Sequence, residues 1–412
     1  MKRATFYLSL LILAACQSGN KHPQPGLLRT GSWHATLNAP GVTIPFDVRV
    51  EQADSAFVFH ILNAAEDIPA EQVIVDSDSV HIILPVFDSR WNLARVNDSL
   101  LSGTWLKYSR YKPYTMDIRL EAGEKPRFPV SDPEPRVDFS GDWRTVFSPD
   151  NIEDTYMALG RFSQEDSHIT GTFLTTTGDY RFLEGTVQGD SLFLSCFDGS
   201  HAFLFKARLQ NDTIYGRFWS GKHWEEPWIA WKEPGYRLPD PDSLTFLKPG
   251  YDHIDFTLPD LDSNLVSLHD EAFRDKVIVL QIMGTWCPNC MDETAFMSEY
   301  YNAHPSDDLV FIGLAFERTN TFSQAVDNVR RLIQRFDIRY PILLAGFPSR
   351  DRINEVLPMI DHFMSYPTSI FIDREGRVRR IHTGFAGPAT GNDFEIFKKE
   401  FDELIREMLG TS

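Results

Sequence analysis

Val277-Ile278-Val279-Leu280-Gln281-Ile282-Met283-Gly284-Thr285-Trp286-Cys287-Pro288-Asn289-Cys290 is the stretch on which the reading of this chain turns. Its first seven residues form a nearly continuous apolar run, the pattern of a strand buried on both faces. Two cysteines separated by two residues then stand where the strand pattern gives way to a helix pattern. That spacing suits reversible exchange of a disulfide.

The flanking sequence supplies a frame for this pair. A helix pattern runs from Cys290 to about His304, and Asp308 to Ala315 reads as a second buried strand. Thr321 to Phe336 has helical spacing in Ala325, Val329, Leu332, Ile333 and Phe336. A third strand covers Ser369 to Asp373, a turn covers Arg374-Glu375-Gly376, and Val378 to Ile381 pairs back. Asp393 to Met408 is an amphipathic helix with Phe394, Phe397, Phe401, Leu404 and Ile405 on one stripe. Alternating strands and helices predict a partly parallel sheet closed by a hairpin.

With these residues in view, the block 252–412 resembles the thioredoxin fold, and in detail the TlpA/ResA-type thiol–disulfide oxidoreductases. The resemblance rests on Phe256-Thr257-Leu258-Pro259-Asp260-Leu261-Asp262, on Gly284 to Cys290, on Glu293, and on Tyr366-Pro367-Thr368-Ser369-Ile370-Phe371-Ile372-Asp373. It implies active cysteines at a helix start, with a cis peptide bond at Pro367 facing them. At that position unpaired N–H groups and the positive dipole end favour a thiolate, so Cys287 is the expected nucleophile. Cys290, one turn along, is the expected resolving thiol. Glu293 lies a further three residues on; a desolvated carboxyl there would have a raised pKa and could accept the Cys290 proton. In thioredoxin itself the acid comes from the strand, and the corresponding residue here is Gln281, which cannot titrate. Asp292 reads as a solvated neighbour. Trp286 is expected to shield one side of Cys287, and Pro367 to expose backbone groups to a substrate strand. The chain departs from the family at Ala295, where a helix-kinking proline is frequent. No small cofactor is required, because the dithiol is itself the redox carrier.

Other uses of the pair fit less well. Structural zinc wants four ligands and the pair supplies two. A peroxiredoxin would place Thr three residues before its cysteine, where this chain has Gly284. Copper delivery would want a wider spacing and a nearby histidine.

The N-terminus suggests where the chemistry operates. Lys2-Arg3, an apolar run from Thr5 to Leu13, and Leu13-Ala14-Ala15-Cys16 resemble a bacterial lipoprotein signal over residues 1–15, with Cys16 as the lipidated residue. The run is too short to span a bilayer. Residues 16–29 read as a polar tether. Export implies an oxidising compartment. Of four cysteines, Cys16 is assigned to lipid and Cys287 and Cys290 to redox chemistry. Cys196 shares a strand face with Leu192 and Leu194 and reads as a small buried hydrophobe. A net charge of −18 argues against nucleic acid as a partner. The family resemblance implies oxidised envelope proteins as substrates, apocytochrome c cysteines among the candidates, and a membrane thiol–disulfide electron donor.

Two Pro-rich breaks, 123–138 and 234–251, read as stiff linkers. They isolate blocks 30–122 and 139–233, which look like an internal repeat. Gly31-Ser32-Trp33 matches Gly141-Asp142-Trp143, and Asn97-Asp98-Ser99-Leu100 matches Asn211-Asp212-Thr213-Ile214. Short alternating strands between Asp/Asn/Ser/Gly turns predict two all-β modules, each a small barrel or sandwich. The Gly-x-Trp openings resemble lipocalin-like barrels, in which a late basic residue covers the tryptophan; Arg119 and Lys232 are the candidates. Trp91, Trp105, Tyr108, Tyr111 and Tyr114, with Phe218, Trp219, Trp224, Trp228 and Trp231, serve either as core or as a binding surface. If they bind, the alternative function is a ligand- or partner-binding lipoprotein with a secondary redox domain.

Overall fold

The computed structural model describes residues 28–54, 56–85, 87–108, 113–129, 134–319 and 321–410. Cys16, the signal, all but the end of the tether, and Tyr111 lie outside the described residues.

The first block is β1 (Gly31–Ala39), β2 (Val42–Ala53), β3 (Ala56–Asn63), β4 (Glu66–Ala70), β5 (Gln72–Val75), β6 (Ser79–Ile83), β7 (Ser89–Asn97), β8 (Leu100–Lys107) and β9 (Tyr114–Ala122). These strands form one antiparallel sheet in the order β4-β3-β2-β1-β9-β8-β7-β6-β5. Period-two alternation turns one face inward: Phe57, Phe59 and Ile61 of β3 are buried between half-exposed neighbours. Among the described residues no ladder joins β4 to β5, so the sheet curls without closing.

The second block is β10 (Gly141–Phe147), β11 (Tyr156–Glu165), β12 (His168–Thr175), β13 (Gly178–Asp179), β14 (Leu183–Gln188), β15 (Ser191–Phe197), β16 (Ala202–Gln210), β17 (Thr213–Ser220) and β18 (Trp224–Trp231). Here the ladder β11–β12 closes the ring, giving an up-and-down barrel with short β13 appended to β12. The two openings are built alike. Trp33 Nε1 donates to Arg29 O at 2.9 Å, and Trp143 Nε1 donates to Phe139 O at 2.7 Å. Lys232 lies over the Trp143 ring at 5.0 Å, whereas Arg119 turns outward to Glu121. Trp91, Trp105, Phe218 and Trp228 are core residues; Tyr108 and Trp224 are exposed.

The open first sheet is completed by the second module. Leu192, Leu194 and Cys196 of β15 point into the barrel core, while Phe193 and Phe197 point outward into the first core. Phe197 stacks on Phe46 at 4.6 Å and meets Trp105 edge-on at 5.0 Å. Asn63 brackets the Phe197 backbone, donating to its oxygen at 2.9 Å and accepting from its nitrogen at 3.1 Å. Both faces of one strand therefore carry a core.

The Pro-rich breaks pack against the sheets on either side of them. Within the first, buried Arg127 donates to Asp47 at 3.0 Å and to Glu184 at 2.7 Å, linking the two modules. In the second, Asp242 pairs with Arg380 at 2.6 Å and with His382 at 2.7 Å. There β19 (Phe246–Leu247) also forms a ladder with a later strand, β25 (Ile360–Asp361). Proline removed the helix and central-strand options there, but side chains flanking it found partners on neighbouring sheets.

The C-terminal block opens with a hairpin, β20 (Thr257–Pro259) and β21 (Leu265–Ser267). Then follow β22 (Val277–Met283), α1 (Pro288–Ala303), β23 (Leu309–Phe316), α2 (Phe322–Phe336), β24 (Ile342–Gly346), α3 (Arg350–Val356), β26 (Thr368–Ile372), β27 (Val378–Thr383) and α4 (Asn392–Leu409). The sheet order is β24-β23-β22-β26-β27, parallel in its first three strands and antiparallel at β26 and β27. Val277 and Val279 face a layer built from α1, α2 and α4. Ile278, Leu280 and Ile282 face the other, covered by α3 and the opening hairpin. Strand β22 is thus buried on both sides, as its unbroken apolar run requires. β24 and α3, unanticipated from sequence, are short elements of five and seven residues. α1 continues through Ala295 to Ala303 in one piece.

Candidate functional site: a disulfide at a helix start

β22 ends at Met283, and the chain turns through Gly284 and Thr285 into α1. A Cβ at Gly284 would lie 2.7 Å from Phe316 O and collide with the Trp286 indole, so only glycine lets that indole sit down. Trp286 Nε1 donates to Phe316 O at 2.8 Å, and the Arg318 guanidinium covers the ring at 3.5 Å. The Thr285 N–H and hydroxyl both reach Glu317, each at 2.7 Å, and Asn328 Nδ2 donates to the same carboxylate at 3.1 Å. Burial pushes the Glu317 carboxyl up, against those donors. Glu317 and Arg318 were not singled out in the sequence; as a charged pair directly after an apolar strand, they were a readable signal.

Cys287 is the N-cap of α1 and is joined to Cys290 by a disulfide, with 5.2 Å between the Cα atoms. The Cys290 N–H points at Cys287 Sγ at 3.2 Å. Cys287 retains 6% exposure and Cys290 none. The Tyr366–Pro367 peptide bond is cis, and Tyr366 O lies 3.6 Å from Cys287 Sγ. The Tyr366 ring meets Trp286 edge-on at 5.3 Å. Trp286, Cys287 and the Pro367 turn are therefore brought to one spot.

Glu293 is fully buried on the sheet side of α1. Its two oxygens accept from Gln281 Nε2 and Ser369 Oγ, each at 2.8 Å. Burial raises its pKa to about 7, opposed by those two hydrogen bonds. A carboxyl raised that far is able to take up or release a proton near neutral pH. Thr294 Oγ1 in turn donates to Gln281 Oε1 at 3.1 Å, fixing the amide. Gln281 was read in the sequence only as a residue that cannot titrate at thioredoxin's acid position, and Ser369 only as a strand residue; both point toward α1 and hold the Glu293 carboxyl.

Asp292 requires a correction, because it is not solvated. Its carboxylate accepts from Arg181 Nη1 at 2.6 Å, across the boundary with the second module. Burial is the main cause lifting its pKa to about 7, with Arg181 pulling it down. Among the described residues, no group of three or more His, Cys, Asp or Glu side chains is arranged to hold a metal. No helix there is long and apolar enough to cross a membrane.

Residues 249–381 match the model of the AhpC/TSA family. Thiol-disulfide oxidoreductase ResA of Geobacillus thermodenitrificans is 29% identical over 130 residues, covering 32% of this chain and 66% of that protein. The ResA of Bacillus thuringiensis subsp. konkukian is 26% identical over 123 residues, covering 30% and 62%. The chain thus spans just under two thirds of these relatives' own length. A thiol:disulfide interchange protein of the thioredoxin family from Chlorobium tepidum TLS aligns with TM-score 0.30 and 23% identity, over 38% of this chain and 95% of that one. The C-terminal block is an AhpC/TSA-type thioredoxin-like domain with ResA-type thiol–disulfide oxidoreductases among its homologues.

Proposed function

We propose that this protein is an envelope thiol–disulfide oxidoreductase, anchored by lipid at Cys16, that reduces disulfides of exported proteins. The observation carrying this reading is the Cys287–Cys290 disulfide at the start of α1, with a buried carboxyl near pKa 7 three residues beyond Cys290. In the reduced form the Cys287 thiolate attacks a substrate disulfide. One substrate sulfur leaves as a thiolate, which takes a proton from water, and Cys287 becomes joined to the other. Glu293 takes the proton from Cys290, whose thiolate attacks Cys287 and releases the second substrate thiol. Two electrons have passed to the substrate, with one proton returned by Glu293 and one taken from water, and the disulfide described above is the oxidised product. A dithiol donor at the membrane restores the reduced form. Trp286 and the Pro367 turn line the approach to Cys287.

The test is a redox titration with thiol trapping, reading Cys287 and Cys290 by mass. A reversible disulfide poised near roughly −270 mV supports the reductase, and one near roughly −120 mV an oxidant. Failure of the pair to cycle at any poise removes the reading. Replacing Cys290 by Ser is expected to trap mixed disulfides on Cys287, while Cys287→Ser traps none. For the anchor, Cys16→Ser is expected to release the protein from washed membranes.

A further inference from the structure

The residues between the two active cysteines are not free. Pro288 is buried, and its carbonyl accepts from Arg181 Nη1 at 3.2 Å. Asn289 Nδ2 donates to Asp179 O at 3.2 Å. Asp179 Oδ2 accepts from the Gly387 N–H at 2.7 Å, on the loop after β27, while its other oxygen accepts from the Arg181 N–H at 2.6 Å. Gly178 has φ +141° and lies against Asn289, where any Cβ would strike Nδ2. Across the same seam a Cβ at Gly384 would stand 2.8 Å from the Thr177 backbone. The loop 177–181 of the second module is therefore moulded onto the cysteine loop.

Arg181 is the centre of that seam. It adopts φ +58°, a conformation non-glycine residues pay to hold. Its guanidinium pairs with Asp292 of α1 and with Glu66 of the first module, and its Nε lies 3.8 Å from Asp198. One buried cation thus joins three blocks at the N-terminal end of the redox helix. A surface ion pair would contribute little, but a buried cation without its anions, or the reverse, is strongly disfavoured.

We infer that Arg181 is a positioning residue for the Cys287–Cys290 couple, through which the β modules set the reactivity of a redox centre they do not themselves contain. The inference rests on the oxidoreductase reading above. Its guanidinium contacts the carbonyl next to Cys287, so its charge favours the thiolate formed when the disulfide accepts two electrons. Glu66, Asp179, Asp198 and Asp292 surround it and damp that charge, and His201 lies 3.3 Å from Asp198 on the far side. Arg181 does not touch the sulfurs; it acts by holding the cysteine loop and by its field.

The experiment compares full-length wild type, Arg181→Met, Arg181→Lys and Gly178→Ala in glutathione redox buffers, together with the pH midpoint of Cys287 alkylation by iodoacetamide. Arg181→Met is expected to shift the exchange equilibrium at least threefold toward the disulfide and to raise the alkylation midpoint. Arg181→Lys is expected to recover part of both. Gly178→Ala, which pushes Asn289 away with every charge retained, is expected to shift the equilibrium without the lysine-type recovery. If Arg181→Met folds and matches wild type in both readouts, the inference falls. If it does not fold, Arg181→Lys decides, and a lysine variant that matches wild type in both readouts overturns the inference. A wild-type pair that never cycles sinks the oxidoreductase reading instead, so the two failures are distinguishable.

Discussion

Glu293 carries the clearest consequence at the scale of a single residue. Its carboxyl is raised from the ordinary carboxylic range to about 7 because burial penalises the charged form more than Gln281 and Ser369 favour it. The folded state therefore binds this proton more tightly than the unfolded chain does. Stability from this group is greatest below the ordinary carboxyl pKa and is lost as pH rises toward 7, in all by about 3 kcal/mol. Glu293→Gln keeps both hydrogen bonds, since an amide oxygen can accept from Gln281 and its nitrogen can donate to Ser369. Denaturant unfolding at pH 8 should show the variant more stable than wild type, with the gap closing at pH 4. Its turnover with a disulfide substrate should fall by on the order of 100-fold and lose the inflection near pH 7. A variant that keeps the inflection would remove Glu293 from proton transfer.

At the scale of elements, the junction of β22 and α1 depends on close approach rather than on unusual backbone. Gly284 allows the Trp286 indole to reach Phe316 O at the end of β23. Gly284→Ala should cost about 1–3 kcal/mol through overpacking. Trp286 would have to leave the carbonyl and the Arg318 stack, which fluorescence in the folded range would show as a red shift. An unshifted spectrum with unchanged stability would mean the loop adapts freely. The cysteine helix itself was legible because β22 is uniformly apolar and the cysteine pair follows it at once. β24 and α3 were not read; the seven residues of α3 make under two helical turns, too few for a period to stand out.

The whole molecule is held by shared strands and buried ion pairs rather than by flexible joints. Phe197 belongs to the second barrel by sequence, yet it fills the first core among Phe46, Trp91 and Trp105. Phe197→Ala should cost about 3–5 kcal/mol. The loss should fall on the first sheet, so tryptophan fluorescence would report an early transition ahead of the C-terminal block. A single unshifted transition would mean the first sheet does not depend on its neighbour. The sequence by itself pointed to the α/β block, the all-β modules and a cysteine pair at the end of a buried strand. Each of those follows from local period, turn chemistry or spacing along the chain. It misjudged Asp292, did not show what the Pro-rich segments pack against, and gave no sign of Arg181. Those depend on which surfaces meet, and one arginine can join Glu66, Asp292 and Pro288 only where the three sheets come together. Tertiary structure decided that the cysteine helix is seated on the barrel, because a buried charge takes whatever partner the assembled interior offers.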